Sequence, residues 1–247
     1  MDTTKNFYAG TSGLLTPIPK RDFPPEHRDR SRLSYYATLF NSLEINSSFY
    51  KLPKAATVTK WSNEVPDDFK FTYKLWKEIT HNKELVFKPQ DVQNFMQAID
   101  IPKAQKGCLL IQLPPSNTIA NATQLDNLLA TVTQLNNGWK LTVEFRHPSW
   151  YSDDVYELLE KYNSSFVLHD MPASAAPMQP IDTDVVYVRF HGPGGRYRGS
   201  YEDDILYEYG LYIKEWVEEG KTVYIYFNNT AGDALNNLVT LNQYVGT

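Results

Sequence analysis

Short runs of apolar and β-branched residues alternate along this chain with longer stretches whose apolar positions recur every three to four residues. The short runs fall at residues 7–10, 42–45, 70–75, 108–113, 141–145, 166–169, 185–190 and 223–227, and each reads as a strand. Between them, Leu33, Tyr36, Ala37 and Phe40 stand at the spacing of one helix face. Leu125, Leu128, Leu129, Val132 and Leu135 repeat the pattern, as do Val155, Leu158, Leu159 and Tyr162, and then Leu206, Tyr209, Ile213 and Trp216. A shorter stripe follows at Leu235, Leu238 and Val239. Residues 55–65, around Trp61, and residues 86–99 carry weaker helical patterns. Residues 171–184 hold Pro172, Pro177 and Pro180 and no helical stripe, so an irregular loop is expected there.

Strand–helix alternation implies a parallel sheet with right-handed crossovers. Eight such units fit an α/β fold of the (β/α)8, TIM-type barrel kind. The 247 residues match the usual size of one such barrel, so residues 1–247 are read as a single domain. The competing arrangement is an open doubly wound sheet. Gly10-Thr11-Ser12-Gly13 lacks the third glycine that a dinucleotide-binding turn in such a sheet requires, and no cofactor is implied.

A strand's side chains alternate between faces, so in a barrel one phase meets the helices and the other enters the lumen. In the fifth strand Leu141, Val143 and Phe145 form one face and Thr142, Glu144 and Arg146 the other. The seventh opposes Val186, Val188 and Phe190 to Tyr187, Arg189 and His191. The eighth opposes Val223, Ile225 and Phe227 to Tyr224, Tyr226 and Asn228. Ser42, Glu44 and Asn46 in the second strand, Thr72 and Lys74 in the third, and Gln112 in the fourth extend the polar phase. The sixth ends in His169-Asp170, whose inward member parity does not assign. Charge concentrates toward the C-terminal strand ends, where this fold carries its active sites. The candidate cup is Glu44, Asn46, Lys74, Gln112, Glu144, Arg146, His169, Asp170, Arg189, His191 and Asn228. The plainer reading is a layer of mutually satisfied ion pairs, such as Glu144 with Arg189, that only closes the barrel.

Two loops add chemistry. His191-Gly192-Pro193-Gly194-Gly195-Arg196-Tyr197-Arg198-Gly199 offers backbone N–H groups near Gly194 and positive charge at Arg196, in a position where barrels often bind phosphate. Asn228-Asn229 could donate amide N–H groups to the same ligand, and His81 could rim the pocket or cap a helix.

Composition narrows the partners. The net charge of -5 makes a poor counter-surface for a phosphate backbone, so nucleic acid is disfavoured. The single cysteine, Cys108, lies in an apolar run and reads as a buried structural thiol. Residues 1–6 are polar, and no apolar run is long enough to span a bilayer, so a cytoplasmic protein without membrane contact is expected. The 17 tyrosines could stack on bases, but packing between helices and barrel is the preferred reading.

Together the motifs resemble the YecE-like domain-of-unknown-function family, number 72 of its series. The stretches that carry the resemblance are Gly10-Thr11-Ser12-Gly13, Leu43-Glu44-Ile45-Asn46-Ser47-Ser48-Phe49-Tyr50, Trp61, Phe69-Lys70-Phe71 with Lys74, and Ile79-Thr80-His81. Further on come Glu144-Phe145-Arg146-His147-Pro148-Ser149-Trp150, Tyr187-Val188-Arg189-Phe190-His191-Gly192 and Tyr226-Phe227-Asn228-Asn229. Leu14-Leu15-Thr16-Pro17 departs from it, where the family pattern has aromatic residues including Trp. The resemblance implies a TIM-like barrel and no established activity.

The leading functional reading is an enzyme acting on a small polar or anionic substrate, phosphate-bearing ones included. Glu44, Glu144, His169 and His191 are the candidate acids and bases. Lys74, Arg146 and Arg189 would hold negative charge, with Asn46, His81, Gln112, Asp170, Gly194, Arg196, Asn228 and Asn229 as further binding residues. One alternative is a metal-dependent hydrolase or isomerase, although close metal-ligand spacing is lacking and no metal is assigned. The other is a non-catalytic module for an anion, a nucleotide or a nucleic-acid end.

Overall fold

The computed structural model describes residues 6–178 and 183–246, so residues 1–5 of the polar opening and Pro180 lie outside the described residues. β1 (Phe7–Thr11) leads to α1 (Arg32–Tyr36) and β2 (Ser42–Ile45). α2 (Ser47–Tyr50) and α3 (Ala55–Ser62) precede β3 (Lys70–Lys74), and α4 (Lys77–Thr80) and α5 (Pro89–Ala98) precede β4 (Lys106–Gln112). There follow α6 (Ala122–Leu135), β5 (Lys140–Glu144), α7 (Asp153–Lys161), β6 (Ser164–His169), β7 (Val185–Phe190), α8 (Asp203–Glu218), β8 (Thr222–Phe227) and α9 (Ala234–Val245). Among the described residues no helix is long and apolar enough to cross a membrane.

All eight strands are parallel, in the order β1-β8-β7-β6-β5-β4-β3-β2. This is the barrel that the alternation predicts. Several boundaries differ from the sequence reading. The helical stripe through Leu33 and Tyr36 continues to Phe40 as turns rather than helix, yet Leu33, Tyr36 and Phe40 are all buried. α5 begins at Pro89, because proline fits the first helical turn, and leaves Val86 exposed. β4 and β6 each start two residues earlier than expected. The described part of the sixth connection contains no helix.

The seam between β1 and β2 closes the barrel in an unusual way. A single bridge joins Ser12 to Glu44, with Gly13 N donating to Glu44 O at 2.8 Å. Elsewhere side chains replace the ladder. Asn41 accepts from Ala9 N and donates to Phe7 O, both at 2.9 Å. The Tyr36 hydroxyl accepts from Thr11 N at 2.8 Å and donates to Ser42 O at 3.0 Å. Gly10 permits this approach, since a Cβ there would lie 2.0 Å from Ser42 O. Tyr36 and Thr11 are fully buried. Tyr36→Phe therefore orphans a donor and an acceptor, and is expected to cost about 1–3 kcal/mol in denaturant unfolding, with faster amide exchange at Thr11. An unchanged midpoint would mean that the seam does not depend on this hydroxyl.

Two apolar layers surround the sheet. The outer one packs helices on the barrel and includes Tyr36, Tyr73 and Tyr156. The inner one fills the lumen with Cys108, Leu110, Val167, Tyr187, Tyr224 and Tyr226. The expectation that the tyrosines pack between helices and barrel is thus corrected for three of them. These three sit on the inward phase of β7 and β8, where Ser42, Thr72 and Glu44 can satisfy hydroxyls. Tyr226 bonds Ser42 Oγ at 2.5 Å and Thr72 Oγ1 at 2.9 Å. This plug blocks the lower lumen and leaves the polar groups at the C-terminal mouth.

Candidate functional site at the barrel mouth

Arg189 is the centre of the mouth. It projects inward from β7 and only 1% of its surface is exposed. Its Nη2 meets Glu44 Oε1 at 2.8 Å and its Nη1 meets Glu144 Oε2 at 2.5 Å. One guanidinium thus joins carboxylates from β2 and β5 across the lumen. Glu44 also accepts from Tyr187 at 2.5 Å and from Ser12, which in turn accepts from Asn46. Glu144 accepts a second cation, Arg146, two residues further along its own chain. Burial alone would raise the Glu144 carboxyl, but Arg146 and Arg189 outweigh it and hold it well below the usual carboxylate range. Glu144 is therefore a fixed anion and a weak base.

His191 and Asp170 form a second unit. Asp170 Oδ1 accepts from His191 N at 2.8 Å and lies 3.2 Å from His191 Nδ1, while Oδ2 accepts from Tyr201. Burial presses the His191 pKa down to about 4, against the pull of Asp170. The partners assign the tautomer. Nδ1–H faces the carboxylate, and Nε2 accepts from Arg146 Nη2 at 3.0 Å and Arg189 Nη1 at 3.3 Å. Asp170 itself lies below its ordinary value because bonds from His191 and Tyr201 overcome its burial.

His169 is the inward member of the His169-Asp170 pair, and it is committed to the backbone. Its Nε2 donates to Phe145 O at 2.8 Å and its Nδ1 accepts from Met171 N at 3.3 Å. Both nitrogens brace the ends of β5 and β6, and burial lowers the pKa of the ring.

Lys74 differs from the arginines. Its Nζ donates to Gln112 Oε1 at 2.6 Å and sits 4.0 Å from the centre of the Phe49 ring. No carboxylate lies within 4.0 Å of it among the described residues. Burial, joined by the charge of Arg189, lowers its pKa to about 8, against the pull of Glu144 and Glu44. His81 stands at the rim, bonded to Thr80 at 2.9 Å and edge-on to Phe49. Burial and the charges of Lys74 and Arg146 push it down to about 4.

The remaining candidates divide. The Asn228 carboxamide makes no hydrogen bond to a described residue, so its donors are uncommitted. Asn229 is fully buried and spends its N–H groups on Gly199 O and Asn237, which anchors the glycine-rich loop from beneath. That loop is pinned, since Tyr197 N donates to His191 O at 2.7 Å and Ala231 N to Tyr197 O at 3.0 Å. Gly192 has φ +92° and a Cβ would meet Arg198 O at 2.2 Å, so only glycine fits. Gly194 and Arg196 are exposed and take no part in the buried ion pairs. Among the described residues, no group of three or more His, Cys, Asp or Glu side chains is placed to hold a metal ion. Leu14 lines an apolar pocket of about 260 Å³ with Leu33, Leu43, Ile45 and Trp61 of the outer layer, and of the cup residues only Asn46 borders it.

The candidate cup leaves out Ser12, Tyr187 and Tyr201. Strand parity already places Tyr187 on the inward phase of β7, and the same parity in β1 marks Ser12, which continues the inward phase of Tyr8 and Gly10. Tyr201 reaches Asp170 only through the folded loop after β7, and nothing local marks it.

Comparison with known proteins adds a lineage. A family model described as protein of unknown function DUF72 matches residues 8–247. The chain is 24% identical to the UPF0759 protein YunF of Bacillus subtilis strain 168, over 87% of this chain and 86% of that one. It is 29% identical to the UPF0759 protein YecE of Escherichia coli O157:H7 over 58% of this chain and 54% of that one. Among solved structures, a DUF72 family protein from Thermotoga maritima superposes with TM-score 0.77 at 26% identity, covering 98% of this chain and 99% of that one. One from Enterococcus faecalis gives TM-score 0.80 at 19% identity, over 98% and 96% respectively, and so bears on fold alone.

Proposed function

The chain belongs to the DUF72 family, whose name carries no activity, and we propose from its mouth that it is an enzyme for small anionic substrates, including phosphate-bearing ones. Arg146 and Lys74 bind the anion, and Asn228 donates a further hydrogen bond. His191 moves the proton through Nε2, oriented by Asp170. Glu44 and Glu144 hold Arg189 and Arg146 in place. The observation that carries the reading is the surplus of donors at the mouth. Lys74 lacks a carboxylate partner, Asn228 is uncommitted, and Arg146 leaves Nη1 without a bond to any described residue. Such a surplus in a largely desolvated site favours a ligand that supplies acceptors and negative charge.

His191 suits the proton-transfer role better than the other candidates. A neutral imidazole with a carboxylate on Nδ1 presents a lone pair on Nε2. An incoming anion that draws Arg146 toward itself removes the nearer of the two donors on that lone pair, at 3.0 Å, and leaves Arg189 at 3.3 Å. Glu144 is too weak a base, and His169 has both nitrogens bonded to backbone.

Inorganic phosphate, compared with chloride at equal ionic strength, is expected to raise the melting temperature. At a hundredfold excess over Kd the stabilisation is about 2.7 kcal/mol, or several degrees. Arg146→Met should lose most of that rise. No rise in the parent chain, or an equal rise in the variant, would overturn the anion site. With a stabilising sugar phosphate in deuterated solvent, exchange into the ligand seen by NMR should disappear in His191→Asn. Exchange that survives the substitution assigns the proton to another group.

A further inference from the structure

Lys74 is not needed merely to supply charge. Arg146 and Arg189 already place two permanent cations beside it, and a third ammonium is repelled by both. Yet the fold takes care over this amine. β3 delivers it into the lumen, and it keeps 9% of its surface open to solvent. Gln112 is itself fixed by donating to Leu113 O at 3.0 Å, so its Oε1 holds one Lys74 N–H in a set direction. Phe49 covers another side of the ammonium at 4.0 Å. Every nearby carboxylate is turned away: Glu44 to Arg189, Ser12 and Tyr187, and Glu144 to Arg189 and Arg146. The charged and titratable groups acting on it are Arg189, Arg146, Glu144, Glu44 and His81.

We propose that Lys74 Nζ is a covalent nucleophile, which condenses with the aldehyde or keto carbonyl of a small anionic substrate to form an iminium ion. This rests on the reading of the mouth as an anion site. The step balances without any co-reactant. Neutral Nζ adds to the carbonyl carbon, and the oxygen takes the proton that Nζ gives up, which leaves a neutral carbinolamine. A second proton, drawn from solvent, lets the C–O bond break so that the oxygen leaves as water, and the nitrogen lone pair forms the C=N⁺ bond that replaces it. The product is a cation like the ammonium it replaces, so the Phe49 face suits both. A lysine pressed toward neutrality by burial and neighbouring cations is the form that attacks carbonyls.

The test is reductive trapping on the full chain, with glyoxylate as probe and cyanoborohydride as reductant at pH 8. At that pH the free-amine fraction of Lys74 exceeds that of a surface lysine by about a hundredfold. Peptide mapping should find the carboxymethyl adduct on Lys74 about tenfold to a hundredfold faster than on exposed Lys60 and Lys83. The Lys74 rate should be half-maximal near pH 8, and inorganic phosphate should slow it. Lys74→Met should lose the fast adduct, but mapping of the parent chain decides the matter even if that variant does not fold. Labelling of Lys74 no faster than of Lys60 and Lys83 overturns the proposal, and if phosphate still raises the melting temperature the anion site survives it. Fast trapping that phosphate does not slow overturns the anionic substrate class, and with it the reading of the mouth.

Discussion

The Arg189→Met variant is expected to lose about 3–5 kcal/mol of stability, seen as a lower denaturation midpoint at unchanged slope. Methionine fills much of the same volume, so the loss reports charge rather than a cavity. Arg189 is the only cation within 4.0 Å of Glu44 among the described residues, and it shares Glu144 with Arg146. Without it, Glu44 is a fully buried carboxylate facing only hydroxyl donors. Adding Glu44→Gln to Arg189→Met should recover more than half of the loss at pH 7, since the orphaned charge is removed. A loss below about 1 kcal/mol would show that the mouth does not depend on this bridge.

The inward phase of each strand was legible because a strand has a period of two and the polar residues keep that period. The alternation in 141–146 alone separates Glu144 and Arg146 from Val143 and Phe145. What parity does not reveal is how neighbouring inward residues share partners. Glu44 and Glu144 look alike in sequence, yet one is bridged by a single arginine and the other by two. His169 and His191 look alike as well. One is consumed by the backbone of β5 and of the loop after β6, the other is paired with Asp170, and these differences arise from contacts between strands and loops. The β1–β2 seam was hidden for a similar reason. Asn41 and Tyr36 read as loop and helix residues, and only the closed barrel turns them into substitutes for backbone hydrogen bonds.

Acid should destabilise the protein before its carboxylates begin to titrate, and His191 is the reason. In the unfolded chain its imidazole takes up a proton near pH 6.5, whereas in the folded mouth it stays neutral down to about pH 4. Between those values the unfolded state binds the extra proton, so stability falls as pH falls. The full difference is worth about 3 kcal/mol, complete by about pH 4. His169, whose pKa is also lowered by burial, acts in the same direction. Glu144 adds a separate loss only at lower pH. Its folded pKa is depressed, so its contribution is present above the ordinary carboxylate range and fades as pH drops below it. Asp170, Arg146, Arg189 and Glu144 all face the His191 ring, and His191→Asn keeps a donor for Asp170 without a group that titrates. Denaturant unfolding at pH 7 and pH 5 should show a distinct drop in the parent chain and a drop smaller by about 1–2 kcal/mol in the variant. Equal drops in the two proteins would place the acid-sensitive group elsewhere and leave His191 without the buried, neutral state that its proton-transfer role requires.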